Sequence, residues 1–305
     1  MITIEDVSSW YGDVIALNGV SARIETPVIG LLGPNGAGKS TLLSLLAGLR
    51  RPKTGAVFID GDEPYDDPEV LKHIGLVPEP LMPARWLTGH RFVADLARMS
   101  GLGKYESRHE ATLILKRLGL AHAMHRPIRG YSQGMRQRVK LAQALIHKPR
   151  LLLLDEPFTG LDPPGRAMMT RSIQDVAKEG VQVVFSSHVL GEVEAVTRDV
   201  LMLLRGRIVA HGSVRDVRAR LASVPLRIGI RTKDPRKVAA TLLQHDDVEG
   251  LDLRDGQLVV RIRHGTTFFR DLTRLGPKLP IDAYGPLDED LESVYGLLVE
   301  RRGRE

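Results

Sequence analysis

Between two apolar runs, Val28-Ile29-Gly30-Leu31-Leu32 and Leu42-Leu43-Ser44-Leu45-Leu46-Ala47, the chain carries Gly33-Pro34-Asn35-Gly36-Ala37-Gly38-Lys39-Ser40-Thr41. The first run reads as a buried strand and the second as the start of a helix. The nine residues fit G-x-x-x-x-G-K-[ST], in the strand–loop–helix setting that this phosphate-binding pattern needs. Its glycines let the backbone turn tightly, so that successive N–H groups face one anion. The helix N-terminus adds partial positive charge. In this reading Lys39 reaches the β- and γ-phosphates and the Ser40 hydroxyl ligates Mg²⁺.

At 305 residues the chain exceeds the usual size of one domain, and two are expected. No apolar stretch reaches the ~18 residues of a membrane span. The start, Met1-Ile2-Thr3-Ile4-Glu5-Asp6, lacks the basic region and apolar core of a signal peptide. The absence of cysteine excludes disulfides and thiol metal sites. Together these features lead us to expect a cytosolic protein. The net charge of +6 is spread without long like-charge blocks, which fits a solvated, arginine-rich surface better than a nucleic-acid groove.

Met1 to Val7, Val20 to Ile24 and Ala56 to Ile59 read as strands, and Ile74 to Val77 is a short apolar run stopped by Pro78. From about Pro83 to Lys148 the pattern is helical. Phe92, Leu96 and Met99 are predicted to share one face, and Leu113, Leu115, Leu118 and Leu120 form a less regular one. Met135, Val139, Ala142 and Leu145 make a single apolar stripe, with Ser132 at the N-cap position. Leu151 to Leu154 and Val181 to Phe185 are continuous apolar runs, as in strands buried on both faces of a parallel sheet, with a helix from Met168 to Lys178 between them. A hairpin around Arg205-Gly206-Arg207 pairs Val200 to Leu204 with Ile208 to Ala210. The order is a β-rich part, a helical insertion and a return to an α/β core.

After about Gly212 the character changes. Strands are predicted at Leu226 to Arg231, Val248 to Leu253, Leu258 to Ile262 and Pro280 to Tyr284, and helices at Pro235 to Leu243, Thr267 to Leu275 and Leu287 to Arg301. Arg254-Asp255-Gly256-Gln257 supplies a hairpin turn. This β-α-β-β-α-β order resembles a split βαβ, ferredoxin-like unit.

Four further stretches specify the kind of phosphate-loop protein. They are Leu151-Leu152-Leu153-Leu154-Asp155-Glu156-Pro157, a strand ending in two acids; Tyr131-Ser132-Gln133-Gly134-Met135, about twenty residues upstream; Thr159-Gly160-Leu161-Asp162, directly downstream; and Ser186-Ser187-His188, closing the next apolar strand. With Gly33 to Thr41, in this order and spacing, they resemble the ATP-binding subunit of an ATP-binding cassette (ABC) transporter over residues 1 to 215. If the strands are parallel neighbours, the loop, the acids and His188 gather at the carboxyl edge of one sheet. The implied fold is a P-loop NTPase core with antiparallel β and helical subdomains, the latter at about 80 to 148, followed by a small α+β domain at 216 to 305.

The resemblance implies ATP and Mg²⁺ as cofactors. Asp155, with Ser40, would hold Mg²⁺; Glu156 would orient and polarise the attacking water; and His188 would contact the γ-phosphate. Tyr11 resembles the aromatic that stacks on adenine, with Trp10 as its rival. Ser132 and Gly134 retain the N-cap hydroxyl and small residue of the family signature, while Gln133 and Met135 depart from it. That motif contacts ATP bound to a second subunit, which implies a head-to-tail dimer, most simply of two identical chains, with Asp162 at the interface. The lid position, usually glutamine, is Glu79, whose oxygens can still ligate a hard cation. Leu81 to Arg91 would receive a coupling helix of a separate membrane permease. The chain would then lie peripherally on the cytoplasmic face of the membrane and serve export. The segment Leu291-Glu292-Ser293-Val294-Tyr295 resembles the accessory domain of drug, polyketide and polysaccharide exporters. A cassette working on ribosomes or DNA is the alternative. The single cassette and the helical segment of ordinary length argue against it, as the retained Lys39, Ser40, Asp155, Glu156 and His188 argue against an inactive nucleotide sensor.

Overall fold

The computed structural model describes residues 1–65, 67–79, 84–215, 226–254, 257–263, 265–275 and 279–286. The chain divides into two compact units, Met1–Val214 and Arg215–Glu305.

The first unit is built on a six-stranded sheet of β3 (Val28–Leu32), β5 (Ile74–Val77), β6 (Leu151–Leu154), β7 (Gln182–Ser187), β8 (Asp199–Leu204) and β9 (Arg207–Ser213). Their order is β5-β6-β7-β3-β8-β9, parallel except for the antiparallel edge strand β9. All four leucines of β6 are buried, as are Val183 to Ser187 of β7. Both faces are covered, so these strands read as unbroken apolar runs rather than alternating ones. A second, antiparallel sheet joins β1 (Ile2–Tyr11), β2 (Val14–Ile24) and β4 (Thr54–Ile59) in the order β2-β1-β4. Its Ile2, Ile4, Val20 and Val57 share one core with Leu31, Leu153, Val184 and Leu201 of the large sheet and with Leu42, Leu45 and Leu46 of α1 (Lys39–Leu46). The β1–β2 hairpin extends to Tyr11 and Val14, beyond the expected strand ends, because Gly12 at φ 56° makes a tight turn that Ser8-Ser9-Trp10-Tyr11 does not announce.

The short helix α2 (Pro68–Leu71) precedes β5. Between β5 and β6 lie α3 (Gly89–Met99), α4 (Lys104–Arg117) and α5 (Gln133–Leu145). The stripe on α5 is as expected for Val139, Ala142 and Leu145, with Met135 only half-buried. On α3 the expected face is wrong. Val93, Ala94 and Ala97 are buried, Phe92 and Leu96 are half-buried, and Met99 is 83% exposed. On α4 the buried residues are Ser107, Ala111 and Leu115, while Leu113 is 47% exposed. The buried positions of both helices are thus mostly small residues. Helix α6 (Pro163–Lys178) starts five residues before the expected Met168, with Asp162 as N-cap and proline at its first turn. Helix α7 (Leu190–Val196) follows β7.

The second unit has β10 (Leu226–Thr232), α8 (Pro235–Leu242), β11 (Val248–Arg254), β12 (Gln257–Ile262), α9 (Gly265–Leu275) and β13 (Ile281–Pro286). The sheet order is β11-β12-β10-β13, and every neighbouring pair is antiparallel. Both βαβ crossovers are thus split by an intervening strand, as in the ferredoxin-like arrangement. Its core is Ile228, Ile230, Val238, Leu242, Leu258, Val260, Ile262, Phe268 and Leu272. The helix expected at Leu287 to Arg301, and with it the Leu291 to Tyr295 segment, lies outside the described residues.

Candidate functional site

β5, β6, β7 and β3 are consecutive parallel neighbours. The segments after their carboxyl ends carry Glu79, Asp155 with Glu156, His188 and the glycine-rich loop respectively, so all of them meet at one sheet edge. The loop is anchored there by the Gly33 N–H, which donates to the Ser187 carbonyl at 3.2 Å. Gly38 sits at φ 106°, and a Cβ on it would lie 2.5 Å from the Ala16 carbonyl oxygen, so only glycine fits. Helix α1 begins with no side-chain cap and no acid in its first turn. Its leading N–H groups are therefore open to an anion. Lys39 is buried and its ammonium donates to the Gly33 and Pro34 carbonyls at 2.7 and 3.1 Å.

A cleft of about 270 Å³ opens over this loop, lined by Asn35 to Thr41, Glu79, Glu156 and, from β2, Val14, Ile15 and Ala16. Asp155 and Glu156 are both buried, at 7% and 8% exposure. The Ser186 hydroxyl sets them: it donates to Asp155 Oδ1 at 2.6 Å and accepts from the Glu156 N–H at 2.7 Å. Glu156 has a left-handed backbone, φ 47°, which a glutamate adopts only when its surroundings enforce it. Its Oε2 lies 2.9 Å from His188 Nδ1, and its Oε1 lies 3.3 Å from Lys39 Nζ. Two of the lysine N–H groups go to the loop carbonyls, and Oε1 is paired in charge but accepts no hydrogen bond among the described residues. A buried carboxylate oxygen without a donor, on a residue that lines a cleft, has hydrogen-bonding capacity left for a water or a ligand.

Among the described residues no three His, Cys, Asp or Glu side chains converge to hold a metal by themselves. The donors at the edge are the exposed Ser40 at the start of α1, Asp155 and Glu79. That hard-oxygen set suits Mg²⁺, which takes one or two carboxylates and completes its shell with phosphate oxygens and water. Glu79 is not an isolated extra charge. Burial pushes the pKa of Lys140, on α5, down, and the nearby Glu79 carboxylate opposes that shift.

The other expected site residues do not line the cleft, though Tyr11 borders it. The Tyr11 hydroxyl is 3.4 Å from Thr41 Oγ1, and the Arg50 guanidinium lies 4.3 Å from its ring centre. Tyr11 and Trp10 are 40% and 41% exposed, and neither lines the cleft. The apolar wall there is Val14, Ile15 and Ala16, which the sequence reading missed; exposed β-branched residues just after Gly12-Asp13 were the available signal. Ser132 caps α5 by accepting from the Met135 N–H at 3.3 Å, and a Cβ on Gly134 would meet only Leu161, at 3.8 Å. Asp162 caps α6 by accepting from the Gly165 N–H at 3.0 Å. Gln133 donates to the Thr159 carbonyl at 3.3 Å, tying these two segments together. None of Ser132, Gly134 and Asp162 lines the cleft.

This geometry defines a P-loop nucleoside triphosphatase. A family model for the ABC transporter matches residues 17–159. The chain is 32% identical to the uncharacterised ABC transporter ATP-binding protein YxlF of Bacillus subtilis, over 97% of this chain and 98% of that one. It is 32% identical to the daunorubicin resistance ATP-binding protein DrrA3 of Streptomyces coeruleorubidus, over 79% and 77%. The dimeric structure of MJ0796, a bacterial ABC transporter cassette, superposes with a TM-score of 0.64 at 26% identity, covering 70% of this chain and 99% of that one. A post-hydrolysis dimer of the same cassette bound to ADP and Pi gives 0.63 at 25%, with the same coverage. The chain belongs to the ABC transporter ATP-binding proteins and is an ATPase subunit of that family. No described helix is long and apolar enough to cross a membrane.

Proposed function

We propose that this chain hydrolyses ATP in the cleft over Gly33 to Thr41 and passes the energy to a separate membrane permease for export. The observation that carries the reading is the buried Glu156 carboxylate, which lines the cleft between Lys39 and His188 and whose Oε1 accepts no hydrogen bond among the described residues. In this reading the loop N–H groups and Lys39 hold the β- and γ-phosphates. Ser40, Asp155 and Glu79 would hold Mg²⁺, whose charge would offset that developing on the phosphate oxygens. Glu156 Oε1 orients a water and takes its proton as the water oxygen bonds to the γ-phosphorus and the bond to the bridging oxygen of ADP breaks. His188 contacts the γ-phosphate. The adenine lies against Tyr11 or the Val14–Ala16 wall.

Ser132, Gly134 and Asp162 lie outside the cleft, at the capped ends of α5 and α6. That separation supports a head-to-tail dimer in which these residues close over the nucleotide of the second subunit, two ATP molecules being sandwiched between two copies. The permease would hold the dimer at the cytoplasmic face of the membrane, with 216–305 as accessory domain. Likeness to a daunorubicin resistance protein favours an amphiphilic, drug-like cargo.

The test is phosphate release from ATP by the purified chain. Slow turnover that disappears on chelation of Mg²⁺ with EDTA and returns on its readdition is expected; turnover that survives EDTA would remove the metal from the mechanism. Glu79→Gln is expected to raise the Mg²⁺ concentration for half-maximal turnover a few-fold, on the order of the loss of one charged ligand. An unchanged Mg²⁺ titration would take Glu79 out of the metal shell.

A further inference from the structure

A chain of contacts that the proposed mechanism does not use runs from the residue before His188 to the residue before Asp162. The Ser187 hydroxyl, fully buried, donates to Glu192 Oε2 on α7 at 2.6 Å and accepts from the Val189 N–H at 3.0 Å. The other oxygen of Glu192, whose side chain is 10% exposed, lies 2.8 Å from Arg166 Nη1 on α6. Arg166 Nε then donates to the Leu161 carbonyl at 3.2 Å. The Ser187 carbonyl, on the same residue, accepts the N–H of Gly33 at the start of the phosphate loop.

We propose that Glu192 and Arg166 are positioning residues for hydrolysis, coupling the Leu161–Asp162 segment to His188 and the phosphate loop through Ser187. This rests on the reading of His188 and Asp162 given above. An ion pair needed only to pack α6 against α7 would require neither the Ser187 hydroxyl nor the Leu161 carbonyl. Here both ends of the pair are spent on groups one residue away from His188, assigned to this chain's own nucleotide, and from Asp162, assigned to that of the second subunit. The Glu192 carboxylate is nearly enclosed, so removing Arg166 leaves it, among the described residues, with the Ser187 hydroxyl as its remaining hydrogen-bond donor and weakens the hold on that turn. His188 shares the Glu156 carboxylate, and a shift of a fraction of an ångström there moves the group that orients the water. When a second subunit presses on Asp162, the displacement has a direct route to His188.

The experiment compares Arg166→Ala, Arg166→Lys and Glu192→Gln with wild type and with Glu156→Gln, measuring kcat, KM for ATP, the Hill coefficient and the melting temperature with and without ATP. Arg166→Ala and Glu192→Gln are expected to lose turnover on the order of 10- to 100-fold, with KM nearly unchanged. The Hill coefficient should fall towards one and the stabilisation by ATP should persist. Arg166→Lys keeps the charge but loses the fork that reaches Leu161, so its turnover should fall between the two. Wild-type turnover and cooperativity in Arg166→Ala and Glu192→Gln, or a loss of turnover matched by loss of ATP binding, would overturn the coupling while an inert Glu156→Gln left the site assignment standing. Should one variant fail to fold, the remaining two decide the matter by the same readings. Normal turnover in Glu156→Gln would instead remove the mechanism itself, and the coupling with it.

Discussion

Glu156→Gln is expected to abolish ATP turnover while leaving ATP binding intact. The substitution keeps the volume and can keep a hydrogen bond with His188, at 2.9 Å in the native site. It removes the negative charge opposite Lys39 and the carboxylate oxygen, without a donor among the described residues, that is assigned to take the proton. General-base assistance by a positioned carboxylate contributes about 10²- to 10⁴-fold, and the loss of kcat should fall in that range. The neutral side chain also no longer competes with the nucleotide for the lysine, so ATP should bind at least as tightly. Single-turnover phosphate release beside equilibrium binding of a fluorescent ATP analogue separates the two effects. Turnover within tenfold of wild type would displace Glu156 from the role of base.

Lys39→Ala should act at the earlier step. The ammonium holds the loop through Gly33 and Pro34 and balances the buried Glu156 carboxylate. A charge-assisted hydrogen bond is worth ~1.5–3 kcal/mol, so the Kd for ATP should rise on the order of 10- to 100-fold. Truncation also leaves the buried Glu156 carboxylate without its cation, which is costly. Turnover should be lost even at saturating ATP. Unchanged affinity in the binding assay would mean that the phosphates lie away from the loop.

The sequence was most legible where one residue type can satisfy the backbone or the chemistry. Gly38 is legible because a side chain there would strike the Ala16 carbonyl, and Ser132 because it precedes a run of helical periodicity. The parallel core was legible because strands covered on both faces, such as Leu151–Leu154, have no polar alternation to confuse them. The face of α3 was misread because periodicity weighs large apolar side chains, whereas close helix packing selects Val93, Ala94 and Ala97. The start of α6 was expected five residues late, at Met168, although proline belongs in a first turn after a capping aspartate.

The site was legible as a set of residue types and not as an assembly. Lys39, Asp155, Glu156 and His188 each follow a strand, and their convergence needs only the strand order. That Ser186 sets both acids, that Glu156 adopts a left-handed backbone and that Oε1 is left without a donor depend on how β6 and β7 lie side by side. No spacing along the chain records those contacts. The same holds for the Glu79 carboxylate near Lys140, which opposes the lowering of the lysine pKa by burial.

The most direct measurement is the solution mass of Glu156→Gln at millimolar ATP, by light scattering on gel filtration, beside the double variant Glu156→Gln/Gly134→Asp. Gly134 is a fair target because a Cβ there meets only Leu161, at 3.8 Å, so the fold should survive, while a carboxylate at the α5 N-terminus would repel a phosphate. The expected result is a mass that doubles with ATP in the single variant and stays monomeric in the double variant, which still binds ATP. A single variant that remains a monomer at saturating ATP, or a dimer indifferent to Gly134→Asp, would contradict a nucleotide site shared between two subunits.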